Sequence, residues 1–494
     1  MLEQEIHSLL LRLPCNFHQE VQLLFDQFLS KLSTQASIIS AQTAQLEAQA
    51  ARIQELENRL SKNSQNSSKP PSSDAPYDKP EPKSQRPKTG RRSGGQKGHK
   101  GKTLEKVANP DHIERHKVTM CEHCQKDLSA VDVHKLHSRQ VYDIPPIKVR
   151  VTEHQVEEKK CSCGHCTRAE FPADVTHYVQ YGKRLKGGLL YFQDYQLLPY
   201  GRCCEVVTDL FGHNISPGTL YNIRKTAFNR LESFEEALKL ALTVAVVAGF
   251  DETGFRVLKN CYWLHSCSTN KHAYYQVHKK RGSEAMDYIG ILPKFKGIAV
   301  HDFWQSYLTY EATHSLCNAH LLRELTFLEE RHKQKWAKDL AKVLTNMKKA
   351  KDKALKKGKT ALSKATIRKY ERQYDEIVLQ GLESNPFVPP KKKKKGRVAK
   401  TKARNLLERL QKYKKDILRF FNNFKVPFDN NFSERDIRMM KLKQKISGCF
   451  RSIKGAQFFA RIRSYIMTAR KQNINCLEAI IDLFANNKTW NKLI

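Results

Sequence analysis

Apolar positions along the chain change period several times, and each change marks an element. Up to residue 34, Leu9, Leu10, Leu11, Leu23, Leu24, Phe25 and Leu29 recur at helical spacing. From Gln35 to Leu60 the chain is rich in Ala, Gln and Glu and has no Gly or Pro. There Ile39, Leu46, Ile53 and Leu60 stand seven apart, Leu56 fills one intermediate position, and Gln42 and Gln49 occupy two others. This predicts a short coiled coil that pairs two copies of the chain through residues 35–61. A long helix packed on its own domain would carry the same pattern. Residues 62–110 lose all period and are rich in Ser, Pro, Gly and Lys. Such a composition cannot bury a core and predicts a disordered linker. The stretch His137 to Val156 alternates enough for strands. Further on, one helix ends near Phe211-Gly212, and a second starts with Ser216 as N-cap and Pro217 in its first position. This is helix-turn-helix spacing. The composition then turns to α/β. Leu240–Phe250 is apolar, Cys261–Ser268 and His272–His278 are strand-like, Ser283–Leu292 is a helix, and Gly297–His301 is another strand. A Lys-rich helical stretch over 331–415, broken at Pro389–Gly396, and terminal helices complete the chain.

Charge changes this picture most. The 494 residues hold 87 Lys and Arg against 50 Asp and Glu, a formal excess of +37. Such an excess points to a polyanion, with nucleic acid first, and argues against an enzyme of small neutral metabolites. It is concentrated: residues 62–106 carry about +8 and residues 331–415 about +22 of it. In the linker, Arg91, Arg92, Lys97 and Lys100 can follow a DNA backbone without reading sequence. In the second helix of the turn motif, Thr219, Asn222, Arg224 and Lys225 can face DNA. The longest apolar run, Leu240 to Phe250, is too short to span a membrane. The acidic opening of the chain reads against a secretory signal. Thirteen cysteines in such a chain read as reduced thiols and metal ligands.

Five of those cysteines cluster. Cys121 and Cys124 form one C-x-x-C; Cys161, Cys163 and Cys166 follow after 36 intervening residues. Two short knuckles supply the four soft ligands of a closed, structural zinc site. Cys121, Cys124 and Cys163 take three positions; the fourth falls to Cys161 or Cys166, with His165 a distant third.

Two aspartates, Asp251 and Asp302, each follow an apolar strand-like run. Three strands, a helix and a fourth strand is the order of a ribonuclease H-like fold, in which the first and fourth strands are neighbours. The two carboxylates would then meet at one edge of the sheet. A third carboxylate on a later helix completes a cage for two divalent ions, and hard oxygen ligands suit Mg(II) or Mn(II). Glu434 is the candidate, with Glu252, Asp429 and Asp436 as competing carboxylates. Glu434, Arg438 and Lys441 share one helical face, a carboxylate for metal beside bases for phosphate, whereas Asp436 points elsewhere. Arg435 and Lys445 lie on the same helix.

At these residues the chain resembles transposases of the insertion sequence 66 family. The resemblance runs through SKNSQNSSKPPSSD, GGQKGHKG, the double zinc knuckle, EFPADVTHYVQYG, YQLLPYGR, LFGHNISPGTL, GFDETGFRV, VHDFWQSY, LCNAHLLREL and VPFDNNFSERDIRMMKLKQKISGCFRS. It implies a DDE transposase in which Asp251, Asp302 and Glu434 are the catalytic, metal-binding triad. Glu434 with Lys441 fits the Glu-x6-Lys spacing of related enzymes. Cys317-x2-His320 resembles a C-x2-H signature, in packing or in support of the active site. The 131 residues between Asp302 and Glu434 imply an inserted helical domain that grips DNA ends.

The expected architecture is multidomain, α/β plus α. It runs from N-terminal helices with the coiled coil (1–61) through the linker (62–110) and a zinc-binding domain (111–175) to a helical DNA-binding region (176–240). A ribonuclease H-like mixed-sheet core follows (241–330 and 416–475), split by the basic insertion (331–415) and followed by a tail (476–494). The expected activity is binding of the element's terminal inverted repeats, then metal-dependent cleavage and strand transfer to target DNA by direct transesterification. Accessory proteins of the same element are possible partners. The run Lys391–Lys395 has the form of a nuclear signal, but the resemblance implies a bacterial, nucleoid-associated, cytoplasmic protein. A non-enzymatic DNA-binding regulator and a nuclease that cuts without joining are the alternatives.

Overall fold

A computed structural model describes residues 14, 18–67, 94, 98–101, 103–387, 400–485 and 489–494. The chain divides into two compact units: Met1–Pro82 with Cys317–Asp429, and Lys83–Leu316 with Asn430–Ile494. In chain order the elements are α1 (His18–Leu60), β1 (Glu158–Lys160), β2 (Cys166–Arg168), α2 (Lys183–Leu190), α3 (Tyr200–Phe211), α4 (Pro217–Arg230) and α5 (Glu232–Thr243). Next come β3 (Val247–Val257), β4 (Asn260–Ser268), β5 (Ala273–His278), α6 (Ser283–Ile289), β6 (Ile298–His301) and β7 (Thr313–Leu316). Helices α7 (Asn318–His332), α8 (Lys335–Lys356), α9 (Lys364–Ser384), α10 (Lys402–Lys412), α11 (Lys414–Ile417) and α12 (Arg419–Asn422) follow. The last helices are α13 (Asn431–Ser447), α14 (Ile453–Lys471) and α15 (Cys476–Phe484).

In the first unit, α1 is one unbroken helix of 43 residues. Its heptad residues Ile39, Leu46, Ile53 and Leu60 are exposed. It ends in an asparagine turn: Asn63 Oδ1 accepts from the N–H groups of Gln65 and Asn66, and Asn66 Oδ1 accepts from that of Asn63. The expected linker from residue 62 therefore begins with ordered chain, because these side chains satisfy the backbone locally. The helices α7 to α12 bury Leu340, Leu344, Met347, Tyr374, Leu407, Phe420 and Phe421. The buried Lys351 ammonium donates to the carbonyls of Phe420 and Val426. The helical stretch expected from 331 starts at Asn318, where Cys317 is the buried N-cap of α7.

The second unit is built on a five-stranded sheet of order β5-β4-β3-β6-β7. Strands β3, β4 and β5 form an antiparallel meander, and β6 and β7 run parallel to β3. With α6 crossing over between β5 and β6, this is the ribonuclease H-like order. The sheet is covered on both faces. Phe250, Phe295, Phe234, Tyr465 and Ile466 fill one core, and Phe255, Tyr275, Met440 and Phe459 fill the other. The edge strand β5 does not stay open, because α14 supplies acceptors from its side chains. Thr468 Oγ1 takes the N–H of Ala273 at 3.1 Å, and Ser464 Oγ that of Tyr275 at 2.9 Å.

Four expectations change in this unit. Residues 240–243 are the end of α5, and the strand starts at Val247. It continues to Val257 because β4 pairs with it from Gly249↔Ser268 to Val257↔Asn260, so Asp251 lies inside the strand. Strand β7, four residues with little alternation, was not foreseen. Among the described residues no strand covers 137–156, where Val141, Tyr142, Ile144, Ile147 and Val151 are exposed and lack a sheet to pack on.

The fourth change concerns Arg224. The helix-turn-helix spacing holds, with Gly212 left-handed at the end of α3 and Ser216 Oγ capping α4 through the N–H of Thr219. Arg224, however, points inward, with Nε and Nη2 each 2.8 Å from the Asp194 carboxylate. Its side chain is 7 % exposed and that of Asp194 is 1 % exposed. Breaking such a pair typically costs about 3–5 kcal/mol, so this arginine belongs to the fold. Asn222 and Lys225 are the exposed members of the set, and Thr219 is half-buried.

Candidate active site

The parallel pairing of β3 with β6 places two of the carboxylates. The partners Val247↔Ile298, Ala248↔Ala299 and Gly249↔Val300 are each offset by 51 residues. Asp251 and Asp302 have the same offset, so they stand level, the second just past the end of its strand. Alternation along β3 sends Asp251 and Glu252 to opposite faces.

Helix α13 brings the third carboxylate to the Asp251 side, and a glycine lets it approach. A Cβ on Gly249 would fall well inside 3.0 Å of Asn430 Oδ1, Ser433 Oγ and Phe432. Asn430 Nδ2 donates to the carbonyl of Phe250 at 2.8 Å, which pins the start of the helix to the strand. Glu434 is in the first turn of α13. The competing Asp436 is buried and occupied, accepting from Ser268 Oγ at 2.8 Å and pairing with Lys471 at 2.7 Å.

The site is electrostatically strained. Burial, then the charges of Glu252, Glu434 and Asp302, push the Asp251 carboxyl well above the usual carboxylate range. Burial raises Asp302 too, opposed by the Trp304 N–H at 2.9 Å and by Arg281. Oxygen donors with excess negative charge fit a hard divalent cation, which would relieve that repulsion.

Glu252 does something else. Its buried Oε1 accepts from Nε and Nη2 of Arg281 at 2.8 and 2.6 Å, and its Oε2 accepts from the Tyr307 hydroxyl. The Arg281 guanidinium lies 4.1 Å from the ring centre of Trp304 and 5.0 Å from that of Trp263. Sequence reasoning did not single out Arg281, Trp263 or Trp304. Their sole signal was that Trp304 stands two residues after Asp302.

The basic candidates divide. Arg435, Arg438 and Lys445 are exposed on α13, as is Lys100 in its own segment. The half-buried Lys441 ammonium donates to the Gly254 carbonyl, so it braces β3 before it can serve phosphate. Arg91, Arg92 and Lys97 lie outside the described residues. Cys317 and His320 belong to the first unit and the carboxylates to the second. Burial lowers the His320 imidazole to about 4.

The zinc candidates lie on two turns of different length, each closed by a residue with positive φ. Gln125 N–H donates to Cys121 O, and Gln125 has φ +59°; Gly164 N–H donates to Cys161 O, and Gly164 has φ +89°. Cys124 and Cys163 thus hold the same place, just before the left-handed residue. The Cys121 thiol is lowered by hydrogen bonds from Cys124 and His123, and that of Cys161 by hydrogen bonds from Cys163 and Ser162. Cys166 lies on β2, opposite Lys160. No three of the five sulfurs lie within 4.8 Å of one another.

A family model described as "Transposase IS66 family" matches residues 178–458, more than half of the chain. One described as "zinc-finger binding domain of transposase IS66" matches residues 119–166. A family of unknown function matches residues 14–105. No curated protein matches the chain.

The raised Asp251 carboxyl has a testable sign. Its folded state holds a proton more tightly than its unfolded state, so it costs stability as pH rises from about 3.8 through the raised folded value. Without divalent metal, Asp251→Asn should melt at or above the wild-type temperature at pH 7. Mn(II) should raise the wild-type melting temperature, increasingly so with pH, and leave the variant unmoved. A variant stabilised by Mn(II) as strongly as wild type would remove Asp251 from the metal site.

Proposed function

This chain belongs to the IS66 transposase family and is a DDE transposase, and we propose that Asp251, Asp302 and Glu434 are the residues with which it cuts and joins DNA. The observation that carries this reading is the level placement of Asp251 and Asp302 at the β3–β6 edge, with the Glu434 charge felt at Asp251, in a setting that raises Asp251 and Asp302. Two Mg(II) or Mn(II) ions bound there would supply an activated water or 3′-hydroxyl and stabilise the departing oxygen. The protein's part is to hold the carboxylates rigidly: Asp251 and Asp302 from the sheet, Glu434 from a helix pinned by Asn430. Water attacks the phosphodiester at the element boundary and releases a 3′-hydroxyl. That hydroxyl then attacks a target phosphodiester, forming one ester bond as another breaks, without a covalent enzyme intermediate.

The remaining regions serve DNA and assembly. The basic helices α8 to α10, the exposed bases of α13 and the face of α4 with Asn222 and Lys225 contact the element's terminal inverted repeats and the target. The exposed heptad stripe of α1 pairs two protomers, so that two ends are held together. Zinc is bound by Cys121, Cys124, Cys161 and Cys163, supported by the positive-φ residue that closes each of their two turns, and it has a structural role. No helix among the described residues is long and apolar enough to cross a membrane, in keeping with work on the bacterial nucleoid. Accessory proteins of the element complete the assembly.

A strand-transfer assay with labelled element ends, plasmid target and Mg(II) tests the triad. Wild type should give joined products. Asp251→Asn, Asp302→Asn and Glu434→Gln should each lose about a thousandfold or more, or about 4 kcal/mol of transition-state stabilisation, while still binding DNA. Joined products from Glu434→Gln would sink that assignment. Binding without cleavage, even with the accessory proteins present, would contradict the catalytic reading as a whole. For zinc, metal content should drop in Cys161→Ser and hold in Cys166→Ser; the reverse would move the fourth ligand to Cys166.

A further inference from the structure

Beside the carboxylates sits a cation whose setting is costly for a merely structural ion pair. Glu252 is a nearly fully buried carboxylate, 2 % exposed, and its Oε1 is spent on Arg281. Arg281 itself is 40 % exposed. Its guanidinium plane is flanked by Trp304 and Trp263, which fix its orientation. Only Nε and Nη2 are engaged, both by Glu252 Oε1; Nη1 has no protein partner among the described residues. Trp304, on which Arg281 rests, donates its backbone N–H to Asp302 Oδ1 at 2.9 Å, so the guanidinium stands beside the metal-binding edge. The tether is held in turn by Tyr307, whose hydroxyl donates to the other oxygen of Glu252.

We propose that Arg281, held by Glu252 and flanked by Trp304 and Trp263, is a phosphate-binding residue for the DNA strand being cut, taking a phosphate next to the scissile bond. This rests on the reading of Asp251, Asp302 and Glu434 as the cutting site. Phosphate brought to an acidic edge is repelled unless a fixed cation meets it. A guanidinium with its unspent N–H groups toward solvent matches two phosphate oxygens at once, which a lysine ammonium does not. Glu252, the second residue of the Asp-Glu-Thr-Gly string, acts through Arg281 and is a positioning residue.

The test is phosphate neutralisation combined with substitution. Full-length protein is titrated with duplexes carrying the element end, one neutral methylphosphonate at a time around the cleavage position, with Ca(II) in place of Mg(II). Wild type should lose about tenfold in affinity at one phosphate beside the scissile bond, or about 1.4 kcal/mol. Arg281→Lys and Glu252→Gln should bind the unmodified duplex more weakly and show little further loss at that position. If Arg281→Lys stays as sensitive at that phosphate as wild type, the arginine is only a counter-charge and the proposal fails. Should Arg281→Lys be poorly folded by thermal melting, Glu252→Gln decides alone by the same criterion. A wild type that binds the ends with no sensitive phosphate near the cleavage position would instead overturn the cutting-site reading beneath it.

Discussion

The candidate site depends on how closely a helix can approach a strand. Helix α13 meets β3 at Gly249, where any side chain would occupy the space of Asn430, Phe432 and Ser433. That clearance lets Asn430 reach the carbonyl of Phe250 and fixes the first turn of the helix, which holds Glu434. The carboxylate and the glycine are far apart in sequence, yet one cannot be placed without the other. Asp436, two residues further along the helix, is drawn into the core by Ser268 and Lys471, and this sets the rotation of α13.

Charge is then divided between the faces of one strand. Asp251 is raised by burial and then by the charges of Glu252, Glu434 and Asp302, a state suited to accepting divalent metal. Glu252, one residue on, is also raised by burial and by Asp302, but Arg281 and Tyr307 satisfy its oxygens. Adjacent carboxylates thus take opposite parts because alternation gives them different neighbours. The same economy explains Arg224, whose place on α4 suggested a DNA contact. Its helix packs against the core, and Asp194 claims the guanidinium.

Much of this was legible in the chain. The apolar runs and the strand order gave the ribonuclease H-like core, and the equal offset of Asp251 and Asp302 follows from the parallel pairing of β3 with β6. Ser216, Pro217 and Gly212 marked their helix ends correctly because capping is local chemistry. What was not legible depends on partners distant in sequence. Strand β3 outruns its apolar segment because β4 supports it as far as Val257. Strand β7 is too short to show a period. Arg281 carries no motif and acquires meaning only when folding sets it between two tryptophans and Glu252. At the start of the linker, Asn63 and Asn66 satisfy backbone groups that composition alone treats as free.

The central claim is that close approach at Gly249 assembles the metal-binding carboxylates. Manganese titration of full-length Gly249→Ala, followed by electron paramagnetic resonance with circular dichroism and zinc content as controls on folding, tests it most directly. The account predicts that Mn(II) binding weakens about tenfold or more while helix content and zinc stay at wild-type levels. Unchanged Mn(II) affinity in a well-folded variant would contradict it.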